Sequence, residues 1–182
     1  MLLLAAPPSA PGTAAALPPP LFTGAFYGVE ASGGLAFADG EIGPSATMGV
    51  RAASVLQAAD LAARYSLLKP GEATGHAVMV SAQLHPFFMF MLGSDRLWTT
   101  LASTYVRLGL GGAYITGGAD DGLAGLWDWG AGLDAPLTDP DAGQSLWLGF
   151  EYRRLSALDG APLGRRPVQS IELRLGWRFN AI

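Results

Sequence analysis

Apolar and polar residues alternate along much of this chain, most regularly near its end in the stretch SIELRLGWRFNAI. The apolar positions of that stretch are Ile171, Leu173, Leu175, Trp177 and Phe179, and small or charged residues separate them. Because successive side chains of a β-strand point to opposite faces, this period of two predicts a strand with one apolar and one polar face.

The same period recurs upstream and predicts seven further strands. Clusters of Gly, Pro and Asp, such as KPGEATG, TGGADDG and LTDPDAG, separate the segments and predict turns. Their regular spacing, without intervening amphipathic helices, predicts an all-β, antiparallel, up-and-down barrel of eight strands. The eight segments lie at about 22–37, 44–54, 58–68, 76–90, 102–115, 124–135, 145–156 and 169–180.

One stretch, RAASVLQAADLAARYSLL, is rich in helix-forming residues and is compatible with a helix. As two strands that turn near Val55–Gln57, it places Arg51, Asp60 and Arg64 on a single face. We therefore predict strands here.

Charged residues follow the alternation closely. Thirteen of them fall inside the predicted strands, and the pattern assigns all but Arg154 to the polar face. The remaining twelve divide equally between acids and bases: Glu30, Asp60, Asp128, Asp134, Glu151 and Glu172, and Arg51, Arg64, Arg107, Arg153, Arg174 and Arg178.

Alternation alone is compatible with a soluble lipocalin-like barrel, which is apolar inside, and with a membrane barrel, which is apolar outside. The polar face carries glycines that would weaken a water-exposed strand but leave room for arginines in a narrow lumen. Arginines matched by carboxylates also suit ion pairs in a confined space, where an unpaired charge is costly. These features favour the membrane barrel. The glycines are Gly24, Gly28, Gly109, Gly111, Gly130, Gly132, Gly149 and Gly176.

Composition and the aromatic residues agree with a membrane location. Only 14% of the 182 residues are charged, against roughly 25% in soluble domains. No stretch approaches the roughly 20 apolar residues of a membrane helix. Aromatic residues, Trp98 among them, gather toward strand ends, as in the girdles at the two membrane interfaces. The predicted girdle comprises Phe87, Phe88, Phe90, Trp127, Trp129, Trp177 and Phe179.

The first residues lack this pattern. Residues 1–20 are uncharged and rich in Pro and Ala, which is typical of the remnant of a secretory signal peptide or of a disordered tail. We predict the barrel over residues 21–182.

These segments, with the alternating end LRLGWRFNAI, resemble the small eight-stranded outer-membrane barrels of Gram-negative bacteria, the OmpA-transmembrane and opacity-protein type. The resemblance covers about 21–182 and implies a location in the bacterial outer membrane. It also implies contact with lipid and lipopolysaccharide, and recognition of the last strand by the barrel-assembly machinery.

Candidate chemistry is sparse. His85 and Ser81 share the polar face of the fourth strand, which keeps a lipid A-modifying enzyme as an alternative. Two histidines and no cysteine give no metal site, and no cofactor is predicted. The net charge of −4, without a basic cluster, gives no footprint for nucleic acid.

The sequence therefore predicts an integral barrel with a structural or surface-interaction role, in which the twelve charges plug the lumen. A polar path for small solutes is the other possibility, but eight strands leave little open space. The short predicted loops at 38–43, 69–75, 116–123 and 157–168 argue against a large adhesin head. A soluble apolar-ligand binder remains an alternative, and it requires Leu173, Leu175 and Trp177 to face inward.

Overall fold

A computed structural model shows the chain as one closed β-barrel and describes residues 25–53, 58–87, 96–117, 121–140, 142–158 and 167–180. Each strand pairs antiparallel with the next, and β1 pairs with β8 to close the cylinder. The elements are β1 Phe26–Ala38, β2 Glu41–Ala53, β3 Ala59–Leu68, β4 Thr74–Leu84, α1 Arg96–Ala102, β5 Tyr105–Thr116, β6 Gly122–Pro136, β7 Gln144–Ala157 and β8 Val168–Asn180.

The predicted fold class, an eight-stranded antiparallel up-and-down barrel, is confirmed. The stretch with strong helix formers folds as β2 and β3, which pair from Ser45–Leu68 to Ala53–Asp60. Cross-strand packing of alternating side chains outweighs helix propensity here. The turn predicted near Val55–Gln57 lies outside the described residues, as do residues 1–20, Gly24, Phe88 and Phe90.

The expectation that no helix interrupts the strands is wrong, because the short helix α1 lies between β4 and β5. The fourth strand ends at Leu84 rather than near 90, just before His85 and Pro86, where proline removes a backbone donor. The fifth strand begins at Tyr105 rather than 102. With two turns at most, α1 is too short to show a clear period in the sequence. No helix among the described residues is long and apolar enough to cross a bilayer.

The first hairpin is tighter than predicted. Its turn consists of Asp39 and Gly40 alone, with φ of 52° and 85°, so β1 and β2 continue into the predicted 38–43 loop. Two successive positive φ angles are those of a type I′ turn, for which Asp-Gly is a preferred pair.

The two ends of the barrel differ. The end that carries the connections after β1, β3, β5 and β7 is called the turn end. The opposite end, where β1 begins and β8 finishes, is called the terminal end, and it carries the connection from β4 to β5 with α1. Parts of two turn-end connections, residues 118–120 and 159–166, lie outside the described residues.

The barrel interior has two zones. Toward the turn end it is filled by small and aliphatic side chains that form one buried cluster, here called the apolar zone. A cavity of about 30 Å³ lies among these residues. The charged side chains lie toward the terminal end and are called the charged zone. The apolar zone comprises Ala36, Leu68, Ala77, Met79, Ala113, Ile115, Ala124, Leu126, Leu155 and Val168.

Candidate functional site

The charged residues assigned to the polar face all point into the barrel, so the predicted charge-filled interior is confirmed. Alternation along each strand turns their neighbours outward, as the period of two requires. The charges stand beside the apolar zone rather than filling the whole lumen. The buried charged residues of the strands are Glu30, Arg51, Asp60, Arg64, Arg107, Asp128, Asp134, Glu151, Arg153, Glu172, Arg174 and Arg178.

Glu151 on β7 is the first centre of the ion-pair network. Arg64 Nη1 donates to both of its carboxylate oxygens at 2.9 Å, and Arg107 Nη1 donates to Oε1 at 2.6 Å. Arg174 Nη1 and the Tyr105 hydroxyl both donate to Oε2, at 3.2 and 2.6 Å. One carboxylate therefore collects three guanidinium groups and a phenol.

Asp134 on β6 is the second centre. Arg51 Nη1 donates to its Oδ2 at 2.7 Å, and Arg174 Nη2 donates to its Oδ1 at 2.5 Å. Arg178 donates to the same carboxylate through Nη2. Because Arg174 also binds Glu151, its guanidinium joins the two centres into one network.

Two more carboxylates extend this network. Glu30 pairs with Arg64 through Nε and with Arg174 Nη1 at 3.2 Å. Asp128 accepts a hydrogen bond from Arg107 Nη2 at 2.9 Å.

Asp60 completes the network near the terminal end. Arg51 Nε donates to its Oδ2 at 2.6 Å, and His85 Nε2 lies 2.9 Å from the same oxygen. The connected group is formally neutral, with five arginines and five carboxylates: Arg51, Arg64, Arg107, Arg174, Arg178, Glu30, Asp60, Asp128, Asp134 and Glu151.

Arg153 and Glu172 form a second, smaller pair. Their closest nitrogen and oxygen atoms are 3.5 Å apart. Arg153 Nη1 also donates to Ser66 Oγ at 2.9 Å, while Glu172 accepts from Ser32 at 2.5 Å and from Thr47 at 3.3 Å. This group is also balanced, with one charge of each sign.

Aromatic rings cover the faces of several guanidinium groups. The Arg178 guanidinium carbon lies 3.7 Å from the ring centroid of Trp147, and the Arg174 carbon lies 5.1 Å from that of Tyr105. A guanidinium group donates hydrogen bonds only within its own plane. The aromatic rings contact its faces, and such cation–π contacts stabilise the desolvated cation. Tyr105 and Trp147 were absent from the predicted network. The available signal was the alternation itself, since Tyr105 lies two residues from Arg107 and Trp147 lies four residues from Glu151, which puts both on the polar face.

Glycines on the inner face give the network its space. A Cβ on Gly149 would lie 2.5 Å from Asp134 Oδ1 and 3.1 Å from Arg174 Nε, and one on Gly132 would collide with the Tyr105 ring. The sequence-based explanation of these glycines, room beside long side chains, fits this geometry.

The residues of the enzyme alternative, Ser81 and His85, are both buried on the inner face. Ser81 Oγ accepts a hydrogen bond from Arg107 Nη2 at 3.2 Å. His85 Nε2 lies 3.2 Å from Arg51 Nη2 as well as near Asp60. Within the described part of the chain, no hydrogen bond joins Ser81 to His85, and no cluster of His, Asp or Glu has the form of a metal site.

The outer face is apolar. On β8, Leu173, Leu175 and Trp177 point outward, with 61%, 53% and 49% of their surfaces exposed. A soluble barrel with an apolar centre requires the opposite orientation, so the lipocalin-like alternative is excluded. The other exposed large apolar residues of the strands include Tyr27, Val29, Leu35, Met48, Val50, Leu61, Val78, Val80, Leu108, Leu110, Leu148 and Phe150. The fold is a transmembrane β-barrel.

The predicted girdle residues that the structure describes occupy two levels of this outer face. Trp177, Phe179 and Tyr27 stack near the terminal end, with ring centroids 6.1 and 5.2 Å apart. Exposed Phe87 follows β4 at the same end. Trp127 lies in the half of β6 nearer the turn end, and Trp129 lies at the middle of that strand, where it meets Tyr152 edge-on at 5.8 Å. The tyrosines were missing from the predicted girdle.

Comparison with known proteins adds no site to this description. No protein-family model matches the sequence, and no curated protein is significantly similar to it. Among solved structures, the neisserial surface protein A (NspA) is 14% identical, with 86% of this chain and 97% of that chain covered and a TM-score of 0.49. The N-terminal β-barrel domain of Pseudomonas aeruginosa OprF is 16% identical, with 86% and 97% covered and a TM-score of 0.49.

A third similar structure is Ail, the attachment invasion locus protein of Yersinia pestis, crystallised with the heparin analogue sucrose octasulfate. It is 14% identical, with 86% of this chain and 99% of that chain covered and a TM-score of 0.42. The fold assigned to the present chain follows from its own strand order and its own two faces.

Proposed function

We propose that this protein is an integral barrel of the bacterial outer membrane with a structural or surface-interaction role, and that its Arg–carboxylate network closes the lumen. The observation that carries the proposal is the inside-out distribution of side chains, with charges buried in the cylinder and leucines exposed around it. Outer-membrane barrels carry their apolar band on the outer face in this way.

Closure of the sheet supports a membrane location. In a bilayer an unpaired sheet edge would leave backbone groups unsatisfied, at several kcal/mol each. The pairing of β1 with β8, from Phe26–Asn180 to Phe37–Gln169, removes that edge. We accordingly propose lipid and lipopolysaccharide as the molecules that contact the outer face, and the barrel-assembly machinery as a partner during biogenesis.

The packing of the lumen supports the plug. Beside Phe26, Arg51 and Arg178 the remaining cavity measures only about 10 Å³, which is the space of a single water molecule. A solute that crossed this layer would have to separate Arg174 from Glu151 or Asp134. Breaking a buried ion pair costs about 3–5 kcal/mol, so we expect a lumen that does not conduct.

Membrane fractionation and bilayer recording test the proposal in two stages. The protein should require detergent for extraction and should migrate differently on gels before and after heating. In a planar bilayer the folded protein should give no current steps. Release into detergent-free buffer would contradict the location, whereas steady conductance of the wild type would contradict the plug alone.

A further inference from the structure

The short helix α1 presents an apolar face outward. Leu97, Trp98 and Leu101 are 62%, 40% and 42% exposed, whereas Thr99 and Ala102 are buried against the barrel. Residues four apart share a helix face and adjacent residues are 100° apart, so the three exposed side chains cover one side of the helix. From Leu97 to Ala102 the helix carries no charged residue.

The helix has a defined end and is connected directly to the barrel. The backbone N–H of Ser103 donates to the Thr99 carbonyl at 3.0 Å, and that of Thr104 donates to the Leu101 carbonyl at 3.1 Å. β5 begins at the next residue, Tyr105, so no flexible linker separates helix and strand. α1 also packs against β6.

The apolar outer surface reaches the end of the barrel that carries α1. Leu84 and Val106 form an outward cross-strand pair at the terminal end of β4 and β5, and both are exposed. Exposed Leu133 lies at the corresponding end of β6, and exposed Phe87 follows β4. Because α1 is joined to β5 through two residues and packs against β6, it lies next to this part of the outer surface.

We propose that α1 lies in the membrane interface and inserts Leu97, Trp98 and Leu101 at the boundary between lipid headgroups and acyl chains. This inference rests on the proposed membrane location. Trp is favoured at that boundary because its ring is apolar and its N–H remains able to bond with headgroups or water. A short amphipathic helix with an uncharged apolar side is suited to such a shallow position. α1 thereby anchors one side of the terminal end against the bilayer surface.

Two single-tryptophan proteins test the position of α1. In one, Trp127, Trp129, Trp147 and Trp177 are replaced by Phe so that only Trp98 emits, and in the other only Trp177 remains. Both are folded into phosphatidylcholine vesicles, and heat-modifiable gel mobility verifies folding. Lipids brominated near the carbonyl end of their acyl chains should lower the emission of both proteins roughly twofold.

The two proteins distinguish a failure of the inference about α1 from a failure of the proposed membrane location. If Trp177 is quenched by brominated lipid while Trp98 is quenched only by aqueous iodide, α1 faces water and the inference is wrong. If neither agent reaches Trp98, protein covers its ring, either a second copy or the barrel itself, which also overturns the inference. If Trp177 escapes brominated lipid as well, the membrane location itself fails. Leu97→Ser with Leu101→Ser should shift Trp98 quenching from lipid toward iodide.

Discussion

Toward the terminal end the lumen holds arginines and carboxylates, whereas toward the turn end it holds alanine, leucine, isoleucine and valine. Strand β6 passes through both zones, with Leu126 in the apolar zone and Asp128 and Asp134 in the charged zone. In the apolar zone each side chain contributes its own packing, so truncating one of them removes only the contacts of that side chain. In the charged zone one carboxylate binds several arginines, so a single replacement removes one partner from several buried groups at once.

The largest expected effect is therefore at the first network centre. Glu151→Ala removes an acceptor shared by Arg64, Arg107 and Arg174, and we expect a loss of about 3–5 kcal/mol in the free energy of unfolding. Urea unfolding in phosphatidylcholine vesicles, followed by tryptophan emission, measures this loss. The matched control is Glu172→Ala, which removes a carboxylate with a single arginine partner. An equal loss in both variants would contradict the idea of a shared centre.

In the apolar zone, Leu126→Ala leaves a cavity and should cost about 2–5 kcal/mol. The prediction that separates the two zones is additivity. Leu155 belongs to the same cluster as Leu126. In the double variant Leu126→Ala with Leu155→Ala, the two losses of unfolding free energy should approximately add, except for a term from the cavity that they share. Combining Glu151→Ala with Arg174→Ala should instead cost less than the sum of the single losses, because both changes remove the same Arg174–Glu151 ion pair, which the sum counts twice. Strict additivity in the charged zone would show that its pairs act independently.

The sequence predicts the faces of the strands well because a period of two is local information. Leu173 and Arg174, or Trp127 and Asp128, are assigned correctly without knowledge of any partner. It does not predict which arginine meets which carboxylate, since Arg174 contacts Glu151 and Asp134 only after the registers of separate strands are set. The apolar zone was missed for another reason. Leu126, Leu155 and Val168 occupy the same alternate positions of their strands as the charged residues, so the pattern does not distinguish them from the rest of the inward face. Helix α1 is too short for a period to reveal it.

A smaller effect is expected from added volume in the charged zone. Gly149→Ala places a methyl group against Asp134 and Arg174 and should cost about 1–3 kcal/mol, because both side chains are held in place by other bonds. Gly33→Ala, on the outer face of β1, is the control. Its Cβ would meet only the Ser45 carbonyl oxygen at 3.9 Å, and it should leave stability unchanged within about 0.5 kcal/mol. Tolerance of both changes would mean that the charged zone is loosely packed.

The smallest expected effect concerns salt, and it bears on whether water and ions enter the charged zone. Between about 0.1 M and about 1 M NaCl the Debye length falls from ~10 Å to ~3 Å, which weakens exposed ion pairs but hardly affects buried ones. Urea unfolding of wild type and of Glu151→Ala at both salt concentrations isolates the network, since other salt effects cancel in the difference. That difference should change by less than about 0.5 kcal/mol, because the arginines that bind Glu151 are almost inaccessible to solvent. A decrease of more than about 1 kcal/mol at high salt would show that ions reach the pairs, and the lumen would then have to be open enough to admit them.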